Sequence, residues 1–75
     1  MDDAAKLLPL AAMEKIMKKS SPDIRVSDPA KEALREYLED KGAEISRIAS
    51  ELALHAGRKT IKAEDIRLAA KKHHQ

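Results

Sequence analysis

Basic side chains gather near the two ends of the sequence, where they could bind phosphate groups. Residues 55–75 contain six Lys or Arg against two Asp or Glu, whereas residues 23–54 contain five against eight. A second basic group, Lys15, Lys18 and Lys19, lies near the N-terminus. Clustered positive charge is the electrostatic signature of nucleic-acid binding, although charge runs more often serve only solubility. Composition by itself therefore leaves both interpretations open.

Residue types that catalyse reactions or hold metals do not form a recognisable pattern. The chain has no cysteine, which excludes disulfides and thiolate zinc sites. His55 could act as a general base, but no nucleophile or carboxylate constellation accompanies it in the sequence. His73 and His74 are adjacent and point to different helix faces, so a frayed tail is the better interpretation. We therefore expect no enzyme activity, no metal and no cofactor.

The nearly non-aromatic composition limits the core that one chain can build. The 75 residues suffice for one domain at most, and Tyr37 is the single aromatic side chain. Ala, Leu, Ile and Met must fill the interior, so a second copy is expected to complete it. The longest uncharged apolar stretch covers residues 7–13 and includes Pro9, which is too short to span a bilayer. We expect a cytoplasmic protein with no membrane partner.

Glycine and proline divide the chain into three helical stretches. The first is predicted from about Leu8 to Lys19, with Pro9 in its opening turn. It presents one apolar face through residues spaced three and four apart: Leu10, Met13, Ile16 and Met17. The third follows Gly57 and a short extended segment at residues 58–61. Acidic residues in its first turn suit the positive end of the helix dipole.

The second helical stretch is the longest and the most informative. Ser27 or Asp28 can cap it, Pro29 fits its first turn, and it is predicted over residues 29–56. A helix of that length would extend about 42 Å, beyond the roughly 30 Å diameter of a compact chain of this size. Its apolar stripe therefore requires a partner. We place the dimer core on this stripe, at Leu34, Tyr37, Leu38, Gly42, Ile45 and Ile48. Gly42 is either a tolerated surface glycine or the point where two such helices cross.

The order short helix, long helix, short helix, together with one sequence run, resembles the all-α histone fold. The run HAGRKTIKAEDI at residues 55–66 resembles the signature of archaeal histones and is highly specific. Residues 8–10 and 25–28 are similar to the family's first-helix entry and first loop. The resemblance predicts three segments: an N-terminal extension (1–7) that is flexible, the histone fold (8–72) and a C-terminal tail (73–75).

The resemblance implies that two chains interlock head to tail with their long helices crossed. Each first loop then lies beside the partner's second loop, and these loops and the helix N-termini bind DNA phosphates. The residues expected to contact DNA are Lys15, Lys18, Lys19, Arg25, Arg58, Lys59, Thr60 and Lys62. Such an assembly bends and wraps DNA with little base readout.

The same resemblance implies two further sets of contacts. Arg58 and Asp65 match a pair that forms an intrachain salt bridge, and Leu52, His55 and Asp65 match positions through which dimers meet. Tetramers or longer arrays of this chain, alone or with paralogous histones, would follow. We expect a nucleoid-associated protein that wraps and compacts double-stranded DNA. The alternatives are a histone-like protein that coats or bridges DNA without wrapping it, and a histone-fold protein-interaction module.

This sequence departs from the family pattern in its N-terminal part. Lys15 occupies a position where the family commonly has Arg. The ammonium group of Lys lacks the planar fork of donors of a guanidinium, so it is less suited to the DNA minor groove. The first loop is one residue longer, around residues 21–24, and Ala11–Met13 stands in place of a second proline. The DNA-binding expectation therefore rests mainly on the second loop.

Overall fold

The computed structural model describes residues 6–73, which contain three helices and no strand. The helices are α1 (Leu10–Met17), α2 (Asp28–His55) and α3 (Ala63–His73). The predicted all-α order of a short, a long and a short helix is therefore confirmed. Parts of the predicted extension (1–5) and tail (74–75, with His74) lie outside the described residues. The chain divides into two compact units, one that ends at Asp40 and one that begins at Lys41. Helix α2 crosses this boundary and contributes residues to both units.

Helix α1 is shorter than predicted at both ends. Pro9 has φ −73° and ψ 143°, which is extended backbone, and its carbonyl accepts the N–H of Ala12 at 3.2 Å. A residue that precedes proline avoids the α region, so Leu8 cannot begin the helix. Pro9 therefore lies immediately before the helix instead of in its opening turn. The helix ends at Met17, and the chain reaches Lys19 through a turn.

Helix α2 begins at a serine cap. The Ser27 Oγ accepts the N–H of Ala30 at 3.2 Å, and the Ser27 carbonyl accepts the N–H of Lys31, also at 3.2 Å. Of the two capping candidates, Ser27 is thus the cap, and Asp28 adds a negative charge to the first turn. The observed helix agrees with the predicted range of 29–56 to within one residue at each end.

Helix α2 ends in a Schellman motif. The N–H of Arg58 donates to the Ala53 carbonyl, and the N–H of Gly57 donates to the Leu54 carbonyl, both at 2.9 Å. Gly57 has φ +77°, a left-handed conformation that costs glycine little because it has no Cβ. The motif therefore determines the direction in which Arg58 leaves the helix.

Few side chains are buried within each unit. Among residues 6–40 the buried apolar residue is Met13, and among residues 41–73 the buried apolar residues are Ala49, Ala53 and Ala69. The large apolar residues that lie exposed in the described part of the chain are Leu7, Ile16, Ile24, Tyr37, Leu54, Ile61, Ile66 and Leu68. The interior is as limited as the composition predicts.

Candidate nucleic-acid interface

The second loop, residues 56–62, curls instead of extending. Lys59 and Thr60 lie at a bend, and the Arg58 Nη1 donates to the Thr60 carbonyl oxygen at 2.9 Å. The prediction of an extended segment at residues 58–61 is therefore wrong for the single chain. The physical reason is local: the Arg58 side chain donates to the Thr60 carbonyl oxygen and so turns the chain back at Lys59 and Thr60.

An ion pair between Arg58 and Asp65 joins the second loop to helix α3. The Arg58 Nη1 donates to Asp65 Oδ2, and Nη2 donates to Oδ1, both at 3.0 Å. The backbone N–H of Lys62 donates to the same Oδ2 at 2.7 Å. The Lys62 carbonyl in turn accepts the N–H of Asp65 at 2.9 Å. Asp65 thus acts as the acidic member of a capping box at the start of α3.

The surroundings of Asp65 strongly favour its ionised form. The Arg58 guanidinium first, and the Lys62 backbone N–H second, lower the pKa of the Asp65 carboxyl from 3.8 to about 2. The same contact raises the pKa of Arg58. Asp65 is only 5% exposed. A two-pronged pair between planar groups restricts both distance and direction, so it holds the loop in one shape.

This ion pair separates the predicted DNA-binding residues of the second loop into two kinds. Both terminal nitrogens of Arg58 donate to Asp65, and one of them also donates to the Thr60 carbonyl. Lys59, Thr60 and Lys62 are exposed. The loop therefore presents two ammonium groups and a hydroxyl group to solvent, while Arg58 holds their backbone in place.

The lysines in and just after helix α1 are not equivalent. Lys15 and Lys19 are exposed, whereas the Lys18 Nζ lies 3.1 Å from Glu14 Oε2. The other Glu14 oxygen lies 3.2 Å from the Nζ of Lys31 on helix α2. Lys18 and then Lys31 lower the pKa of Glu14, so this carboxylate stays charged and neutralises part of the local positive charge. The 14–18 spacing was visible in the sequence, whereas the contact with Lys31 was not.

Arg25 lies in the first loop, beside an open groove. Arg25 is exposed, and the loop contains a turn in which the N–H of Ile24 donates to the Ser21 carbonyl at 3.1 Å. The groove is lined by Ile16, Met17, Ser20, Ile24, Arg25, Val26, Ser27 and Ala30. This loop thus combines a cationic side chain with an uncovered apolar surface.

Glu39 was not among the predicted site residues, yet it restrains the segment before α1. Its carboxylate accepts the backbone N–H groups of Lys6 at 2.5 Å, of Leu7, and of Leu8 at 2.7 Å. A phosphate could reach these N–H groups only by displacing the carboxylate. In the sequence Glu39 is the i+4 partner of Arg35. No local signal therefore predicts a contact that spans 31 to 33 residues.

Sequence comparisons identify the family to which this geometry belongs. A family model described as histone-like transcription factor (CBF/NF-Y) and archaeal histone matches residues 6–70. The chain belongs to this family. A HAN1 archaeal histone protein of Thermococcus zilligii is 50% identical to it over 64 residues, which covers 85% of this chain and 94% of that protein. Probable archaeal histone 3 of Methanocaldococcus jannaschii is 44% identical over 62 residues, which covers 83% of this chain and 91% of that protein.

Family membership makes this chain an architectural DNA-binding protein with the histone fold. Archaeal histones are chromosome-associated, and the family packages DNA instead of catalysing reactions. The resemblance drawn from residues 55–66 is therefore confirmed.

The residues that the histone resemblance assigns to contacts between copies lie on α2 and α3. In the predicted dimer core, four residues are half-buried: Leu34, Leu38, Ile45 and Ile48. Tyr37 is 58% exposed, and a Cβ added to Gly42 would meet nothing within 4 Å. At the predicted dimer–dimer contact, Leu52 is half-buried, His55 is exposed and Asp65 is buried. The roles of both sets stay predictions.

Residues 6–73 contain neither a helix that could span a membrane nor a cluster of metal-binding side chains. None of the helices within residues 6–73 combines the length and the apolar character needed to cross a membrane. Over this range, no three His, Asp or Glu side chains gather closely enough to hold a metal ion. Of the two adjacent histidines, His73 is the one within the described residues, and its Nε2 lies 3.1 Å from the Nζ of Lys41.

Proposed function

We propose that two copies of this chain form a dimer that binds the phosphates of double-stranded DNA and wraps and compacts it with little sequence preference. The observation that carries the proposal is the second loop. Its Arg58–Asp65 ion pair is internal, and its cationic side chains Lys59 and Lys62 are exposed. In this proposal the protein acts on the chromosome.

The chemistry of the second loop suits phosphate better than bases. Lys59 and Lys62 carry ammonium groups, which act as point charges, and Thr60 adds a hydroxyl group that can donate to an oxygen. Arg58 would be the residue best suited to reading guanine, but its guanidinium is engaged by Asp65. Contacts of this kind position a protein on DNA without carrying sequence information.

The size of helix α2 supports the dimer. Its 28 residues extend about 42 Å at 1.5 Å per residue, and Tyr37 on its predicted apolar stripe is 58% exposed. A second copy that covers this stripe would bury apolar surface that each chain leaves in water. The Thermococcus relative is named as one subunit of its histone, which implies an assembly of more than one chain. A paralogous chain is therefore a second candidate for the partner.

The decisive experiment is a titration of the purified protein onto a short duplex DNA at several salt concentrations. We expect tight binding that tolerates changes of sequence and falls steeply as salt rises, because phosphate contacts release counterions. The double variant Lys59→Ala/Lys62→Ala should lose most of this binding and keep the fold, since both side chains are exposed.

The matched control is Lys71→Ala/Lys72→Ala, which also removes two positive charges, but from the exposed last turn of α3. It should bind DNA more tightly than the second-loop variant. Equal losses in the two variants would show that net charge, and not the second loop, drives binding. A wild-type protein that dimerises but does not bind DNA at low salt would contradict the proposal and favour the protein-interaction module.

Nuclease digestion then distinguishes wrapping from coating. Wrapped DNA should yield protected fragments at regular intervals, because each assembly shields a defined length. A protein that coats or bridges DNA without wrapping it should yield no such ladder. That result would retain the DNA-binding part of the proposal and replace its geometry.

A further inference from the structure

The segment that enters α1 is fastened to α2 by a single carboxylate. Three consecutive backbone N–H groups donate to Glu39: that of Lys6 to Oε1, and those of Leu7 and Leu8 to Oε2. Consecutive N–H groups that converge on one anion form a backbone nest, a geometry that proteins also use to bind phosphate. Here the chain itself supplies the anion.

The conformation of this segment needs an external restraint. Lys6 has φ +90°, a backbone conformation that residues other than glycine rarely adopt. Such a conformation persists only where surrounding contacts hold it. The Leu7 side chain is 84% exposed and therefore packs against little. Pro9, which follows the nest, has no N–H with which to join the helix. The hydrogen bonds to Glu39 are thus the main restraint on the segment.

The charge of Glu39 is well suited to this role. Partial desolvation opposes ionisation of the carboxyl, but the N–H groups of Leu8, Lys6 and Leu7 and the charge of Arg35 outweigh it, so the pKa of Glu39 is lowered. Hydrogen bonds to an ionised acceptor are roughly twice as strong as neutral ones. A glutamine at this position would keep the size but lose the charge and one of the two acceptor oxygens.

We propose that Glu39 is a clamp residue, which holds residues 6–8 against helix α2 and keeps the Lys6–Leu7 peptide bond closed to proteases. The clamp fixes the backbone of residues 6–8 immediately before helix α1. It does not depend on the DNA-binding proposal, because none of its contacts involves the second loop.

Timed trypsin digestion of the full chain tests the clamp, because trypsin cleaves after Lys6. The variants are Glu39→Gln and, as a matched control, Glu36→Gln, which removes the same charge from an exposed position of α2. We expect the fragment that begins at Leu7 to form about tenfold faster or more in Glu39→Gln, because cleavage follows the population of the open segment. Hydrogen exchange of the Leu8 amide should accelerate in parallel.

Cleavage after Lys41 and Arg47, inside α2, separates clamp release from general unfolding. If Glu39→Gln speeds cleavage after Lys6 and leaves these internal cuts as in the wild type, the clamp is supported. If all cuts accelerate together, Glu39 stabilises the whole fold and the clamp proposal is wrong. It is equally wrong if cleavage after Lys6 and exchange of the Leu8 amide are unchanged.

Discussion

The second loop and the first loop both carry candidate DNA-binding side chains, but they are held in different ways. The second loop is bounded by the Schellman motif at Gly57 and by the ion pair of Arg58 with Asp65, and these groups lie within a few residues of one another. The first loop contains the turn that ends at Ile24, and Arg25 beside it borders an uncovered groove. One loop is thus organised by its own sequence, and the other leaves apolar surface open.

The difference shows how a small protein can divide a binding surface between local and intermolecular order. A loop held by charge-assisted hydrogen bonds needs no partner to place Lys59 and Lys62. In the first loop, Arg25 borders an apolar groove that the proposed dimer would cover. The predictions below test this contrast, from the largest expected effect to the smallest.

The largest effect should come from Asp65→Asn, which breaks the organisation of the second loop. The variant leaves Arg58 without its carboxylate partner and removes an acidic group from the start of α3. We expect the greatest fall in melting temperature of the variants in this series. Weaker DNA binding should accompany it, because Lys59 and Lys62 lose their fixed placement. Circular dichroism melting and the DNA titration measure the two effects.

The control for this variant is Glu44→Gln. It weakens the contact between Glu44 and Arg47, a two-pronged arginine–carboxylate contact of similar chemistry on an exposed part of α2. Exposed ion pairs contribute little to stability, so its melting temperature should change little. Similar melting of the two variants would mean that the ion pair does not organise the second loop.

The contribution of Asp65 should also depend on pH. Its pKa in the folded chain is lowered from 3.8 to about 2, so folding favours the ionised carboxylate. The resulting stabilisation is complete above the unfolded pKa and is lost as the pH falls towards the folded pKa. The difference in melting temperature between the wild type and Asp65→Asn should therefore shrink between pH 5 and pH 2. A constant difference would contradict the assignment.

Lys59→Ala and Lys18→Ala compare a cation that points to solvent with one that is paired. Lys59 is exposed in the second loop, whereas the Lys18 Nζ lies 3.1 Å from Glu14 Oε2. If Lys59 contacts one phosphate, the slope of log K against log salt should fall by about 0.9 in its variant. The slope should change less in Lys18→Ala. The reverse order would place the principal contact at the C-terminal end of α1 instead of the second loop.

Ser27→Ala tests the local order that the first loop does possess. The variant removes the hydroxyl that caps α2, which should lower the free energy of unfolding by about 1 kcal/mol. For a chain of this size that corresponds to a fall of about 4–8 °C in melting temperature. Ser21→Ala, which changes an exposed side chain of the same loop, is the control and should melt like the wild type.

Gly42→Ala gives the smallest expected effect and decides between the two interpretations of this glycine. Since a Cβ here meets nothing within 4 Å, alanine should raise stability by up to about 1 kcal/mol through its helix propensity. Thermal melting, together with measurement of dimer dissociation by dilution, checks both quantities. A weaker dimer would show instead that a partner helix crosses closely at this position.

Much of the fold was predictable because its signals are local. The cap Ser27 and the breaker Gly57 each act on residues within a few positions, and they bound helix α2 to within one residue. The specific run at residues 55–66 was enough to predict the family, which the comparisons confirm. The loop at residues 58–61 was mispredicted, because the pattern did not show that the Arg58 side chain bonds to the Thr60 carbonyl.

The sequence by itself determined the helix order, the bounds of α2 to within one residue and the histone family, since each depends on short-range hydrogen bonding or on a contiguous run. Only the tertiary structure revealed the contacts that engage charges across long stretches of the sequence. Glu14 meets Lys31, and Glu39 meets the backbone of residues 6–8, across separations that no sequence periodicity encodes. A charge that looks free in the sequence is neutralised only when the fold brings its partner within a few ångströms, because water screens charges at longer range.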